Sequence, residues 1–160
     1  MGHSAGGLIS NYLGCFRGNV LRGIGPFSGW GPTRDAGGGT ISLACLGKKV
    51  AAYIVHNPKE GDATECAKAG GCQYIVDWPT LGWPSVQYWT NIDGCGNIGA
   101  MPTAAFSGSP PCQAYAGCDS NYPVTLCLYD YSDQYDGPHA FPVQWGAKAV
   151  TDFFLALPKV

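Results

Sequence analysis

A serine, a carboxylate and a histidine can open an ester if the chain brings them together, and this sequence carries each in a telling context. Gly2-His3-Ser4-Ala5-Gly6 fits G-x-S-x-G, the turn that lifts a nucleophilic serine off a strand and into a helix. The serine of such a turn sits in a strained backbone conformation, and side chains on its flanks would clash with the neighbouring strand and helix. Downstream lies the polar loop His56-Asn57-Pro58-Lys59-Glu60-Gly61-Asp62, and later a loop that delivers His139. A serine hydroxyl is too weak an acid to attack unaided. The histidine takes its proton, and the carboxylate holds the imidazole in one tautomer and steadies its charge. An oxyanion hole supplies the largest remaining contribution, and losing one donor costs about 3–4 kcal/mol in other enzymes. The backbone N–H of Ala5 would be one donor here.

Groups this far apart need strands and helices to position them. Leu8, Ile9, Tyr12, Leu13 and Phe16 follow the serine at spacings of one, three and four, an apolar helical stripe. Leu21 to Ser28 reads as a short buried strand, and residues 29–40 are glycine-rich and turn-like. Val50 to Val55 is an unbroken apolar run, the pattern of a central strand in a parallel sheet covered on both faces. The polar loop at its C-terminal end is where open α/β sheets place functional residues. Residues 63–83 form a loop with Cys66, Cys72, Trp78 and Trp83, and Pro84 sits in the first turn of a short helix through about Asn91. Residues 96–111 are irregular, Gln113 to Tyr115 is a short strand, and Tyr122 to Tyr129 is a stronger one. An amphipathic helix from about Val143 to Leu157 closes the chain, with Trp145, Ala149, Val150, Phe153, Phe154 and Leu157 as its buried stripe and Pro158 as its stop. Strands alternating with helices imply an α/β sheet with helices on both faces. Residues 1–160 show no interior linker, so they form one domain or part of one.

The formal charge of -2 and the lack of basic runs argue against a nucleic-acid partner. No apolar run approaches about 18 residues, so no membrane span is expected. Eight cysteines, Cys15, Cys45, Cys66, Cys72, Cys95, Cys112, Cys118 and Cys127, suit an oxidising compartment. No C-x-x-C pair occurs, which favours disulfides over zinc, and no metal site is expected. Their connectivity is not deducible, although 66–72 and 112–118 could each close a small loop. Asp130, Asp133 and Asp136 lack the Gly and Glu that a calcium loop requires, and they read as solvated turn residues.

The order Ser, acid, His is that of the α/β-hydrolases. The chain resembles the C-terminal half of secreted esterases of the feruloyl esterase / polyhydroxybutyrate depolymerase type (carbohydrate esterase family 1-like). The resemblance rests on GHSAGG at 2–7, FSG at 27–29, VHN at 55–57, DGCG at 93–96, PCQAYAGCDSNYPVTLC at 111–127 and GPHAFP at 137–142, in family order. It implies an extracellular, cofactor-independent ester hydrolase acting on plant cell-wall hydroxycinnamates or on polyesters, with Ser4 as nucleophile and His139 as base and acid. The family's acid stands four residues after the strand-end histidine, a position held here by Glu60. Asp62, two residues on, is the expected acid if the loop carries a short insertion, with Glu60 as the alternative. The family also has strands before the elbow, including the one that leads into the serine. Their absence here implies a partial domain with an exposed sheet edge open to self-association, and half of the oxyanion hole missing. A secreted protein also begins with a signal peptide, which this sequence does not show.

Plainer readings stand beside these. Ser4 could be an ordinary helix N-cap, His139 a loop residue, and His56 a structural strand-end residue. His3, Trp83 and Trp145 are candidate substrate contacts, although tryptophans of this kind, Trp78 and Trp89 included, more often fill a core. A rival of another class is a non-catalytic, disulfide-stapled remnant whose aromatic loops hold a glycan or polymer surface.

Overall fold

The computed structural model describes residues 1–35, 40–42, 45–60, 78–130 and 139–159. In chain order its elements are β1 (Gly2–His3), α1 (Ala5–Arg17), β2 (Gly23–Ile24), β3 (Pro26–Phe27), β4 (Thr33–Asp35), β5 (Thr40–Ser42), β6 (Ala51–His56), α2 (Trp83–Ile92), β7 (Cys112–Ala114), β8 (Val124–Leu128) and α3 (Gly146–Ala156). A single π-helical turn, Trp78–Gly82, leads into α2.

The unbroken apolar run becomes β6, and all six of its residues are buried. Parallel neighbours β3 and β8 flank it, β1 pairs parallel with β3, and β7 pairs antiparallel with β8. Pleating sends alternate side chains to opposite faces. Ala52 and Ile54 of β6 pack with Ile24, Trp78, Trp83, Val86, Trp89, Leu126 and Leu128 on one face. Tyr53 and Val55 pack with Phe27, Cys127, Tyr129 and Val150 on the other. Helices α1 and α2 cover the first face and α3 the second, an α/β architecture. Each fully buried aliphatic side chain, Ile54 for example, adds about 1.5–3 kcal/mol over its exposed state.

Several expectations change. A two-residue strand, β1, leads into Ser4, in register with Pro26 and Phe27. The strand expected over Leu21 to Ser28 is split at Gly25 into β2 and β3, both parallel to β6. Within the turn-like segment 29–40, residues Thr33–Asp35 form β4, which pairs with β5 as an antiparallel ladder.

The apolar stripe of α1 faces outward: Ile9, Leu13 and Phe16 are exposed, while Gly7, Ser10, Asn11, Gly14 and Cys15 are buried. Small residues win that face because α1 lies against backbone and a large ring. A Cβ on Gly7 would stand 2.5 Å from the Phe27 carbonyl oxygen, and one on Gly14 would stand 2.8 Å from the Trp89 ring. Asn11, fully buried, accepts hydrogen bonds from the Trp89 indole (2.8 Å) and the Ser85 hydroxyl (3.1 Å) and donates to the Trp30 carbonyl (3.3 Å). That network fastens α1 to α2 and to the loop after β3.

Three disulfides join described residues: Cys15–Cys45, Cys95–Cys118 and Cys112–Cys127. The small loop expected between Cys112 and Cys118 therefore does not form. Cys112 of β7 lies opposite Cys127 of β8 in the ladder, which brings their Cα atoms within bonding range. Cys66 and Cys72 lie outside the described residues. No helix among the described residues is long and apolar enough to cross a membrane.

Candidate active site

Four parallel strands end side by side, and each hands the chain to a residue of the site. The ladder runs one step past the strand ends: Ser4 N–H donates to the Phe27 carbonyl (2.9 Å), Ser28 N–H to Val55 (2.8 Å) and Tyr129 N–H to His56 (3.1 Å). Ser4, Ser28, His56 and Tyr129 thus form a row across the carboxyl ends of β1, β3, β6 and β8, the place where open α/β sheets hold their ligands.

Ser4 has φ 57° and ψ -119°, a conformation that L side chains avoid at a cost of about 1–3 kcal/mol. Its hydroxyl makes no capping bond to α1, so the N-cap reading lacks its defining contact. Close packing holds the turn. A Cβ on Gly2 would stand 2.4 Å from the Gly6 carbonyl carbon, and one on Gly29 would stand 2.3 Å from the Gly7 carbonyl carbon. Gly6 differs from expectation, since a Cβ there meets nothing within 4 Å. Ala5 opens α1, so its N–H belongs to the first-turn amides that have no acceptor inside the helix and that favour negative charge.

The acid comes from the turn after β6. Asn57 shapes that turn, its side-chain oxygen accepting from Lys59 N–H (2.9 Å) and its carbonyl from Glu60 N–H (3.0 Å). Glu60, 3% exposed, faces two imidazoles at once. Its Oε1 lies 2.9 Å from His139 Nδ1, and its Oε2 lies 2.7 Å from His56 Nδ1. Burial pushes the Glu60 carboxyl up, but the His56 charge and the hydrogen bonds from His139 and His56 outweigh burial and hold it below the usual carboxylate range. Glu60 is therefore the carboxylate that faces His139, while Asp62 lies outside the described residues.

Three contacts fix His139. Beyond the Glu60 bond, the Tyr129 hydroxyl donates to the Ala140 carbonyl, and His3 Nε2–H donates to the His139 carbonyl at 2.7 Å. The His3 and His139 rings stand 4.9 Å apart, so the residue next to Ser4 touches the histidine turn directly. His139 Nε2 is buried and has no hydrogen-bond partner among the described residues. Across the surface, Lys59 pairs with Asp130 at 2.7 Å and links the acid loop to the loop after β8.

Of the candidate substrate contacts, His3 serves the histidine turn. Trp83 is 8% exposed and packs edge-on to Trp78 in the core. Trp145, half-buried beside Tyr129, lines an open cavity of about 640 Å³ with Tyr53, Pro110 and Phe153. Sequence reasoning passed over His56, fully buried with both ring nitrogens engaged. Its spacing of four residues from Glu60 was the signal. No protein-family model matches the chain, and no curated protein matches it either.

Proposed function

We propose that this chain carries the site of a secreted serine carboxylic ester hydrolase, with Ser4 as nucleophile, His139 as base and acid, and Glu60 as the acid that orients it. One observation carries the reading: His139 presents Nδ1 to a buried carboxylate and leaves Nε2 without a hydrogen-bond partner among the described residues, Ser4 Oγ included, beside an elbow whose serine hydroxyl does not cap its helix. In the proposed reaction Ser4 Oγ attacks the ester carbonyl carbon as its proton passes to His139 Nε2. The carbonyl oxygen becomes an oxyanion, and Ala5 N–H donates to it. The C–O bond then breaks, and the alcohol leaves with the proton from His139. Water, deprotonated by His139, attacks the acyl-Ser4 ester, and the carboxylic acid departs as Ser4 regains its proton. Glu60 keeps the proton on Nδ1 throughout.

The sequence resemblance supports hydroxycinnamoyl esters of plant cell wall or polyesters such as polyhydroxybutyrate as the substrate class. The three disulfides support an extracellular setting. Among the described strands β1 has a neighbour on one side only, so self-association through that edge belongs to the proposal. The rival binding remnant needs exposed aromatic platforms, and Trp78, Trp83 and Trp89 are all in the core.

Hydrolysis of p-nitrophenyl acetate and butyrate by the purified chain, beside Ser4→Ala, Glu60→Gln and Asp62→Asn, tests the reading. Ser4→Ala should abolish turnover. Glu60→Gln should lower kcat by about 10⁴, the loss that follows when a triad acid is neutralised, while Asp62→Asn stays near wild type. Equal turnover by wild type and Ser4→Ala sinks the proposal, and a collapse confined to Asp62→Asn moves the acid there.

A further inference from the structure

His56 makes a set of contacts that a strand-end structural residue does not need. Its Nε2 lies 3.0 Å from the Gly29 carbonyl and its Nδ1 2.7 Å from Glu60 Oε2. A carbonyl oxygen only accepts, so Nε2 carries a proton. An ionised carboxylate also only accepts, so Nδ1 carries one too. With Glu60 ionised, that hydrogen-bond pattern makes the buried ring an imidazolium, with Glu60 as its counter-charge among the described residues. Breaking such a buried pair by removing one partner is strongly destabilising, which keeps the two groups together.

Close neighbours crowd the ring. Trp78 stands 5.1 Å away, and Gly82 is so close that a Cβ there would meet His56 Cε1 at 2.9 Å and Nδ1 at 3.0 Å. Gly29, whose carbonyl the ring holds, is the residue pressed against Gly7 beneath the nucleophile turn. A continuous chain of contacts therefore runs from the α1 end of the elbow through Gly29 and His56 to Glu60, and on to His139.

We propose that His56 is a positioning residue of this site: as a buried imidazolium it aims Glu60 at His139 Nδ1 and offsets part of the carboxylate's charge. Its role in turnover rests on the ester-hydrolase reading; the proton arrangement does not. Among the described residues, the titratable groups facing this cluster are His56 and Glu60 from β6 and its turn, His139 from the last loop and His3 from β1. The π-helical turn contributes the Trp78 ring and the loop after β3 the Ser28 hydroxyl, neither of which titrates near neutral pH.

With His56 positive, protonating His139 puts two cationic rings on one carboxylate. Replacing His56 by the neutral donor glutamine removes that opposition, so His139 should take up its proton at higher pH. The test is ¹H–¹⁵N NMR of the histidine side chains of the whole chain from pH 5 to 8, with kcat/KM profiles on p-nitrophenyl acetate. In wild type His56 should carry protons on both nitrogens across the range. In His56→Gln the His139 titration and the acid limb of kcat/KM should both move up by about one pH unit or more, which lowers turnover at pH 6 about tenfold. A neutral His56 at pH 7, or a His139 titration unmoved by His56→Gln, overturns the proposal. A purely structural His56 would lower the melting temperature and leave the titration in place. If His56→Gln fails to fold, the wild-type spectrum decides alone. A wild type without Ser4-dependent hydrolysis but with a doubly protonated His56 overturns the esterase reading and leaves the proton arrangement standing.

Discussion

Replacing Gly29 by alanine would put a methyl group 2.3 Å from the Gly7 backbone carbon, where no side chain can rotate away. The substitution should destabilise the fold by about 3 kcal/mol or more, because overpacking against backbone forces whole segments to shift. Gly6→Ala should do the opposite. Nothing lies within 4 Å of the added atom, and alanine is the better helix former by about 1 kcal/mol. Thermal melts of the two variants check this, and equal losses would mean that the turn is not held by the Gly7–Gly29 contact. The two glycines of the motif look alike, yet a Cβ on Gly2 would meet the Gly6 backbone at 2.4 Å and one on Gly6 meets open space. The glycine just past the five-residue pattern, Gly7, is held by β3, where a Cβ would stand 2.5 Å from the Phe27 carbonyl oxygen, and that neighbour twenty residues away is invisible in the motif.

At the scale of elements, Asp93 caps α2 and reaches across to the start of β6, its Oδ1 accepting from Val50 N–H at 3.2 Å. Burial pushes this carboxyl up to about 7, against the pull of the Val50 N–H and Lys49; Asp119 adds to the rise. In the unfolded chain an aspartate titrates near ~3.9. Between about pH 4 and 7 the unfolded chain has therefore released a proton that the fold still holds, and stability falls as pH rises through that window. Asp93→Asn resembles the neutral acid at every pH. It should melt close to wild type at pH 4 and above it at pH 8, and a gap that does not widen with pH would refute the assignment. Glu60 works in the reverse sense. Its folded pKa is lowered, so its contribution is complete above the unfolded value of ~4.3 and fades as pH falls through the folded one.

For the whole molecule, the described disulfides close sequence separations of 30, 23 and 15 residues. Loop-closure entropy assigns each about 3–4 kcal/mol. Together they approach the entire stability of an ordinary domain, about 5–15 kcal/mol. Reduction by dithiothreitol at 37 °C should accordingly abolish near-UV circular dichroism and any Ser4-dependent turnover together. An unchanged melt in reductant would show that the two-sided core around β6 suffices. Low charge content fits this picture, since 12% charged residues leave few surface ion pairs to contribute.

Much of this was legible in residues alone. Val50 to Val55 announced a central parallel strand because such a strand is buried on both faces and needs no polar alternation. Pro84 marked the first turn of α2, and the stripe around Val150 marked α3. The G-x-S-x-G turn and the His139 loop stood in the right chain order for acyl transfer. Distance across the chain decided the rest. Glu60 and Asp62 are two residues apart in one loop, and only the turn built by Asn57 shows that the Glu60 carboxylate is turned inward to His139. The outward stripe of α1 misled because hydrophobic periodicity records side-chain character, whereas this helix docks by close backbone approach at Gly7 and Gly14 and by the buried amide of Asn11. The Cys112–Cys127 bond follows the register of β7 on β8, which no spacing along the sequence encodes. His56 read as an ordinary strand-end histidine until the fold set one of its nitrogens on a carbonyl and the other on the acid.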